Sequence, residues 1–272
     1  MTDPVTYTLL DPTGNMTLLA ETPVETMSQL LTAKKLMELE PDTEQVGFVG
    51  FENDGVRLRM AGGEFCGNAA MSAAVLFLQH TGRSEGGVTV RVSGTPEPVA
   101  VTARVLPDGS WSATVTMPGP LAVGQEYLPG GERLPLVRFP GITHVILEEE
   151  TNPETAEYLA REWCCCLGSE ALGLMFLDRE QSSLRPLVYV PSAETLFWES
   201  SCASGTTAVG AYLAAETGQP VRIRLKQPGG TLGIFAEPGG TLQLTGTVRI
   251  RKQAVDVPLW KSEETERDQK KA

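Results

Sequence analysis

Glu64-Phe65-Cys66-Gly67-Asn68 and Ser200-Ser201-Cys202-Ala203-Ser204-Gly205 each open the same kind of segment. The first leads into the Ala/Leu-rich stretch Ala69 to Gln79 and stops at Thr81-Gly82. The second leads into Thr206 to Glu216 and stops at Thr217-Gly218. Cysteine and closing glycine stand 16 residues apart in both. Small residues at the start and glycine just past the end predict a helix of about three turns in each. Both stretches are nearly free of charge, so both helices are expected to be buried on all sides.

The similarity extends outward. Val88 to Val92 follows the first helix and Val221 to Leu225 the second, and both alternate like half-buried strands. Upstream, Tyr7 to Leu10 and His144 to Leu147 read as strands, each before an amphipathic helix. One helix is expected to open at Thr22-Pro23-Val24-Glu25, a capping box with proline at the first helical position. The other is expected to open at Asn152-Pro153-Glu154-Thr155. A repeat of this kind predicts an α/β fold of two pseudo-symmetric domains, each a mainly antiparallel sheet wrapped around a central hydrophobic helix. Met117-Pro118-Gly119-Pro120 cannot continue a strand or helix and marks the boundary, giving halves 1–118 and 119–260. Residues 261–272 carry mixed charge without apolar periodicity and are expected to be a disordered tail.

Composition narrows the function. The net charge of −12 disfavours nucleic acid and anionic membrane as partners. No apolar run approaches the ~18 residues of a membrane span. Met1-Thr2-Asp3-Pro4 lacks the pattern of a signal peptide, so a cytoplasmic protein is expected. Five cysteines, an odd number, then read as free thiols. Cys164-Cys165-Cys166 lacks metal-type spacing and the chain has only two histidines, His80 and His144, so no metal site is expected.

Two cysteines at helix starts suggest a chemistry. A helix N-terminus offers unpaired N–H groups and partial positive charge, so two converging on one cleft would hold a carboxylate. The same field favours thiolate. It contributes about 0.3–1 kcal/mol, up to ~2 when partly buried, which would lower a thiol by roughly one pKa unit. Two such thiols on opposite faces of an α-carbon could invert it, one removing a proton while the other delivers one. Packing cysteines or a redox disulfide pair would satisfy the same pattern, and both stay open at this point.

The motifs Asp11-Pro12-Thr13-Gly14-Asn15, Glu44-Gln45-Val46-Gly47-Phe48, Glu64-Phe65-Cys66-Gly67-Asn68 and Ser201-Cys202-Ala203-Ser204-Gly205-Thr206 resemble the signatures of diaminopimelate epimerase-like enzymes. The resemblance spans Asp11 to about Gly246. It implies the two-domain epimerase fold, no cofactor, catalysis by Cys66 and Cys202, and a homodimer. It further implies that Asn15, Gln45, Gly67, Asn68, Ala203, Ser204 and Gly205 line the site of a small amino-acid substrate.

The departures redirect the substrate. The epimerase places a Glu-Arg pair before its second cysteine, and arginine there clamps a distal carboxylate. Pro191 to Cys202 contains no arginine. Ile142-Thr143-His144 stands where that family has Asn-Pro-His, losing another distal contact. An unpaired distal carboxylate in a closed site costs several kcal/mol, roughly. The variant motifs, among them Trp198-Glu199-Ser200-Ser201-Cys202 and Gln227-Pro228-Gly229-Gly230, resemble the histidine racemases of staphylopine-type metallophore biosynthesis. That resemblance implies interconversion of L- and D-histidine. Glu44 and Glu199 are then the candidates for the imidazole, which can donate a hydrogen bond or carry charge. A racemase for another amino acid (diaminopimelate included), a phenazine-biosynthesis-type isomerase and a non-enzymatic amino-acid-binding module are the competing readings. The last two would not need a thiol on both faces.

Overall fold

Alternation marks several of the strands. In Val99–Val105 the buried Val99, Val101 and Ala103 face the core while Ala100, Thr102 and Arg104 face solvent. The computed structural model describes residues 4–131, 133–149 and 151–258, so the expected tail at 261–272 lies outside the described residues. The chain runs β1 (Val5–Pro12), β2 (Thr17–Ala20), α1 (Thr26–Leu39), β3 (Gln45–Glu52), β4 (Gly55–Met60), α2 (Gly67–His80), β5 (Glu85–Val92), β6 (Val99–Val105) and β7 (Trp111–Thr116). It continues through β8 (Ala122–Tyr127), β9 (Arg133–Phe139), β10 (Ile142–Leu147), α3 (Pro153–Cys166), β11 (Leu172–Asp178) and β12 (Ser183–Val190). A short 3-10 turn at Pro191–Ala193 leads to β13 (Thr195–Trp198), α4 (Ala203–Thr217), β14 (Val221–Gln227), β15 (Gly230–Ala236) and β16 (Leu242–Val257).

The fold is α/β and sheet-rich. Strands β1 to β7 pair in sequence order, β7 pairs with β16, and β16 pairs back onto β1, closing an eight-stranded barrel. Helix α2 fills it: residues 67–78 are all buried, packed with Met60, Val90, Val101 and Val115. Its alanines Ala69, Ala70, Ala73 and Ala74 are fully enclosed, so larger side chains there would overpack at a cost of about 1–3 kcal/mol. The remaining strands run β16-β15-β14-β12-β11-β10-β9-β8, with β13 on β12. Helix α4 packs against them, Ala208, Val209 and Tyr212 meeting Val137, Met175, Leu184 and Leu225. Strand β16 joins the two groups, since Gln243–Thr245 lie between β7 and β15.

The senses of pairing recur. From β1 to β7 they run antiparallel, parallel, antiparallel, parallel, antiparallel, antiparallel. From β9 through β10, β11, β12, β14 and β15 to β16 they follow the same order. No helix among the described residues is long and apolar enough to cross a membrane.

Helix ends follow the sequence at three places and depart at one. Helices α2 and α4 begin immediately after Cys66 and Cys202, and Gly82 (φ +67°) and Gly218 (φ +63°) close them in the left-handed conformation. Helix α3 begins at Pro153, its cap Asn152 accepting the Thr155 N–H at 2.9 Å. Helix α1 begins at Thr26, not at the expected Thr22-Pro23. Thr22 is committed elsewhere, because its Oγ1 accepts the Thr6 N–H at 2.8 Å and so serves β1. Cys164 is buried while Cys165 and Cys166 are exposed, an ordinary helix-face pattern.

Candidate active site

Both expected catalytic cysteines are N-caps. An N-cap side chain accepts a backbone N–H two or three residues on, a role usually held by Ser, Thr, Asp or Asn. Cys66 Sγ accepts from the Ala69 N–H at 3.4 Å, and Cys202 Sγ from the Gly205 N–H at 3.3 Å. Each sulfur therefore caps the start of its helix and accepts a first-turn N–H. The two starts abut: a Cβ at Gly67 would lie 3.2 Å from Ala203 Cβ and 2.9 Å from Met117 Sδ, so a side chain there would press on both. Asn68 Nδ2 reaches across to the Ser201 carbonyl at 3.5 Å.

Around Cys66 the structure gathers the first set of expected site residues. The Cys66 thiol donates to Gln45 Oε1 at 3.0 Å. Gln45 Nε2 donates to Asn15 Oδ1 and, at 2.9 Å, to Thr17 Oγ1. Asn15 Nδ2 donates to Glu44 Oε2 at 2.6 Å. Asn15 is aimed by a tight turn: Asp11 accepts the Gly14 N–H at 2.6 Å and is ion-paired with Arg251. Gly14 (φ +88°) lies directly on the Gly229 backbone, and Gly229 N donates to the Ser200 carbonyl at 2.7 Å. That contact ties the Asn15 turn to the segment preceding Cys202.

Around Cys202 lie Glu199, Ala203, Ser204 and Gly205. The Cys202 N–H donates to Gln227 Oε1 at 2.9 Å, and Ser204 Oγ is 3.5 Å from the sulfur. Glu199 hydrogen-bonds the Cys202 thiol, and Glu44 hydrogen-bonds Ser200. All eleven residues singled out in the sequence thus fall in one region, where α2, α4, β3 and the Asp11–Asn15 turn meet. Arg185, Pro186, Trp198, Glu199, Ser200 and Pro228 line a cavity of about 220 Å³ beside it. Two residues outside the expected set also meet it. Gln227 fixes the Cys202 backbone, and His144 Nε2 stands 3.0 Å from Ser204 Oγ. A histidine at the head of the apolar run His144 to Leu147 was the signal the sequence offered for the latter.

The electrostatics correct one expectation. Burial pushes the Cys66 thiol up to about 12, against the N–H groups of the helix start, and Glu64's charge adds to the rise. Cys202 stands well above the usual thiol range, first through burial and then through the adjacent Glu199 carboxylate. The expected downward shift is absent because dehydration of a thiolate outweighs one helix terminus. Glu199 is itself raised to about 7, by burial and then by the charge of Glu44, despite the Cys202 hydrogen bond. Glu44 is raised by burial of its carboxyl and by Asp11, against hydrogen bonds from Ser200 and Asn15. Two carboxyls and two thiols therefore share a region in which every negative charge is disfavoured.

The chain matches the family model of the histidine racemase CntK N-terminal domain over residues 4–254. A histidine racemase of Fusobacterium nucleatum subsp. nucleatum is 33% identical over 257 residues, covering 89% of this chain and 92% of that protein. One from Staphylococcus aureus is 28% identical over 247 residues, covering 84% and 87%. The fold is similar to that of a probable proline racemase from Agrobacterium radiobacter K84, with a TM-score of 0.68 at 12% identity, covering 94% of this chain and 93% of that one. The chain belongs to the histidine racemase family and is an isomerase of the amino-acid racemase and epimerase class.

Proposed function

We propose that this isomerase interconverts L- and D-histidine without a cofactor, with Cys66 and Cys202 as opposed acid and base. The observation that carries the reading is the abutment of α2 and α4, each start capped by a thiol and separated by little more than the Gly67–Ala203 contact. One thiolate removes the α-proton while the other thiol delivers a proton to the opposite face. The developing negative charge passes onto the substrate carboxylate, held by first-turn N–H groups of both helices. At the end of a turn thiol and thiolate have changed places.

The raised thiols suit this scheme once substrate is counted. An α-ammonium entering the site brings a positive charge beside the sulfurs, and it stabilises the thiolate that must act as base. Asn68 Oδ1 is buried without a hydrogen-bond partner, which makes it a candidate acceptor for that ammonium. Glu44 and Glu199 are assigned to the imidazole, because a ring N–H would hydrogen-bond the disfavoured carboxylates and an imidazolium would neutralise one. The lack of arginine between Pro191 and Cys202 supports a substrate without a second carboxylate.

The two halves, 1–118 and 119–260, are read as a duplicated pseudo-symmetric pair, a reading supported by the recurring pairing senses. The enzyme is assigned as a cytoplasmic homodimer supplying D-histidine to metallophore biosynthesis. The test is a panel of single L-amino acids in D₂O under reducing conditions, followed by α-proton signal and optical rotation. Loss of both with histidine is expected. Exchange with a different amino acid and none with histidine would overturn the substrate, and no exchange with any would overturn the racemase reading.

A further inference from the structure

Helices α1 and α3 hold equivalent places: each follows two antiparallel strands and each runs 14 residues. Counted from their first residues, Thr26 and Pro153, their buried positions coincide, Gln29, Ala33 and Leu36 on α1 against Ala156, Ala160 and Trp163 on α3. The outward positions can therefore be compared one by one. Where α3 carries Glu154, Glu157, Tyr158 and Arg161, α1 carries Met27, Leu30, Leu31 and Lys34. A helix that packs on one side is expected to be polar on the other, as α3 largely is. In α1 the order is inverted. Gln29 and Thr32 are buried, whereas Met27 is 96% exposed, Leu30 60% and Leu31 50%, with Met37 exposed beyond them.

Nothing among the described residues covers this stripe, and clustered exposed apolar side chains mark an interaction surface. Its spacing points to the occupant. Met27, Leu30, Lys34 and Met37 follow one another at steps of three, four and three residues, so the stripe reads the same in both directions. A two-fold interface requires such a surface, because one patch serves both partners. Two copies of α1 set antiparallel bring Met27 of each against Met37 of the other. Leu30 then meets the stem of Lys34, which can lie along apolar surface with its ammonium in water. Charge favours the same face. The net charge of −12 makes two copies repel over most of their surfaces. The stripe itself holds one cation and one anion, Lys34 and Glu38, both exposed. Glu25 and Asp42 at its two ends disfavour an anionic membrane as the occupant.

We propose that the outer face of α1 is a dimerisation surface, on which a second copy of this chain lays its own α1 antiparallel about a two-fold axis. The proposal supplies the contact for the homodimer assigned above and rests on that assignment, not on the thiol chemistry. The stripe forms the apolar centre of an interface that needs roughly 800 Å² on each copy.

Sedimentation velocity of the full chain, over a wide range of micromolar concentrations, is expected to show a reversible dimer. Met27→Glu and Leu30→Lys alter exposed side chains, so circular dichroism and the urea midpoint should stay at wild-type values. Met27→Glu faces Met37 and Glu38 of the other copy, and Leu30→Lys faces its Lys34. Each should weaken association by about thirtyfold or more. Leu30→Glu faces the same lysine with a carboxylate and should hold association within about fivefold of the wild type. A wild type that stays monomeric overturns both this proposal and the homodimer. A dimer that Met27→Glu and Leu30→Lys leave intact overturns the surface alone. Equal losses from Leu30→Lys and Leu30→Glu overturn the antiparallel arrangement. Association that appears only after residues 259–272 are removed would overturn the proposal by assigning the stripe to that segment.

Discussion

Glu199→Gln should stabilise the protein, and more so as pH rises. Glu199 has an ordinary value of 4.5 and stands at about 7 when folded. The folded state therefore binds the proton more tightly than the unfolded chain between those two values. The stability this contributes is fully present below ~4.5 and is lost as pH rises through ~7. A difference of about 2.5 units corresponds to roughly 3 kcal/mol in all, of which about 2.5 kcal/mol is lost between pH 5 and 8. Glutamine has nearly the same shape and never ionises, so the variant escapes that loss. Urea unfolding of both proteins at pH 5, 6, 7 and 8 reads the effect, and titrating groups that do not interact with Glu199 cancel in the difference. The gap between them should widen by about 2.5 kcal/mol from pH 5 to pH 8. A gap that stays constant would refute the claim that Glu199 is held raised by burial and by Glu44.

Gly14→Ala should cost more than about 1 kcal/mol and depress turnover, because it meets both an unfavourable φ and the Gly229 backbone beside Asn15. Gly82→Ala, with the same backbone hand but open space around it, should cost strain alone; equal losses in denaturant titrations would contradict the contact argument. In the substrate-free enzyme at pH 7.5, iodoacetamide should modify the exposed Cys165 and Cys166 before Cys66 and Cys202. Peptide mass mapping that finds Cys66 or Cys202 labelled first would contradict their raised values.

Legibility followed range along the chain. The two buried helices could be read because their signals are local: a run without charge, a cysteine before it, a glycine after it. The closure of the barrel by β16 onto β1 could not, since Leu10 and Ile250 pair across 240 residues. Only β1, β5, β10 and β14 were read as strands from the sequence; β8 is one that could not be, since most of it is exposed and shows no buried alternation. The Thr22-Pro23 signature misled because a hydroxyl that can cap a helix can equally accept from a neighbouring strand. The candidate site residues were legible as motifs, whereas their charge states were not. A helix start can be seen in sequence, but the dehydration that overrides its field depends on what packs over the sulfur.

The most direct test of the paired-thiol account follows the α-proton of L-histidine in D₂O, with the wild-type enzyme and with Cys66→Ser and Cys202→Ser, under reducing conditions without added cofactor. The account predicts that the wild type exchanges the proton and loses optical rotation, and that each serine variant loses racemisation. Near-normal racemisation by either single variant would contradict it.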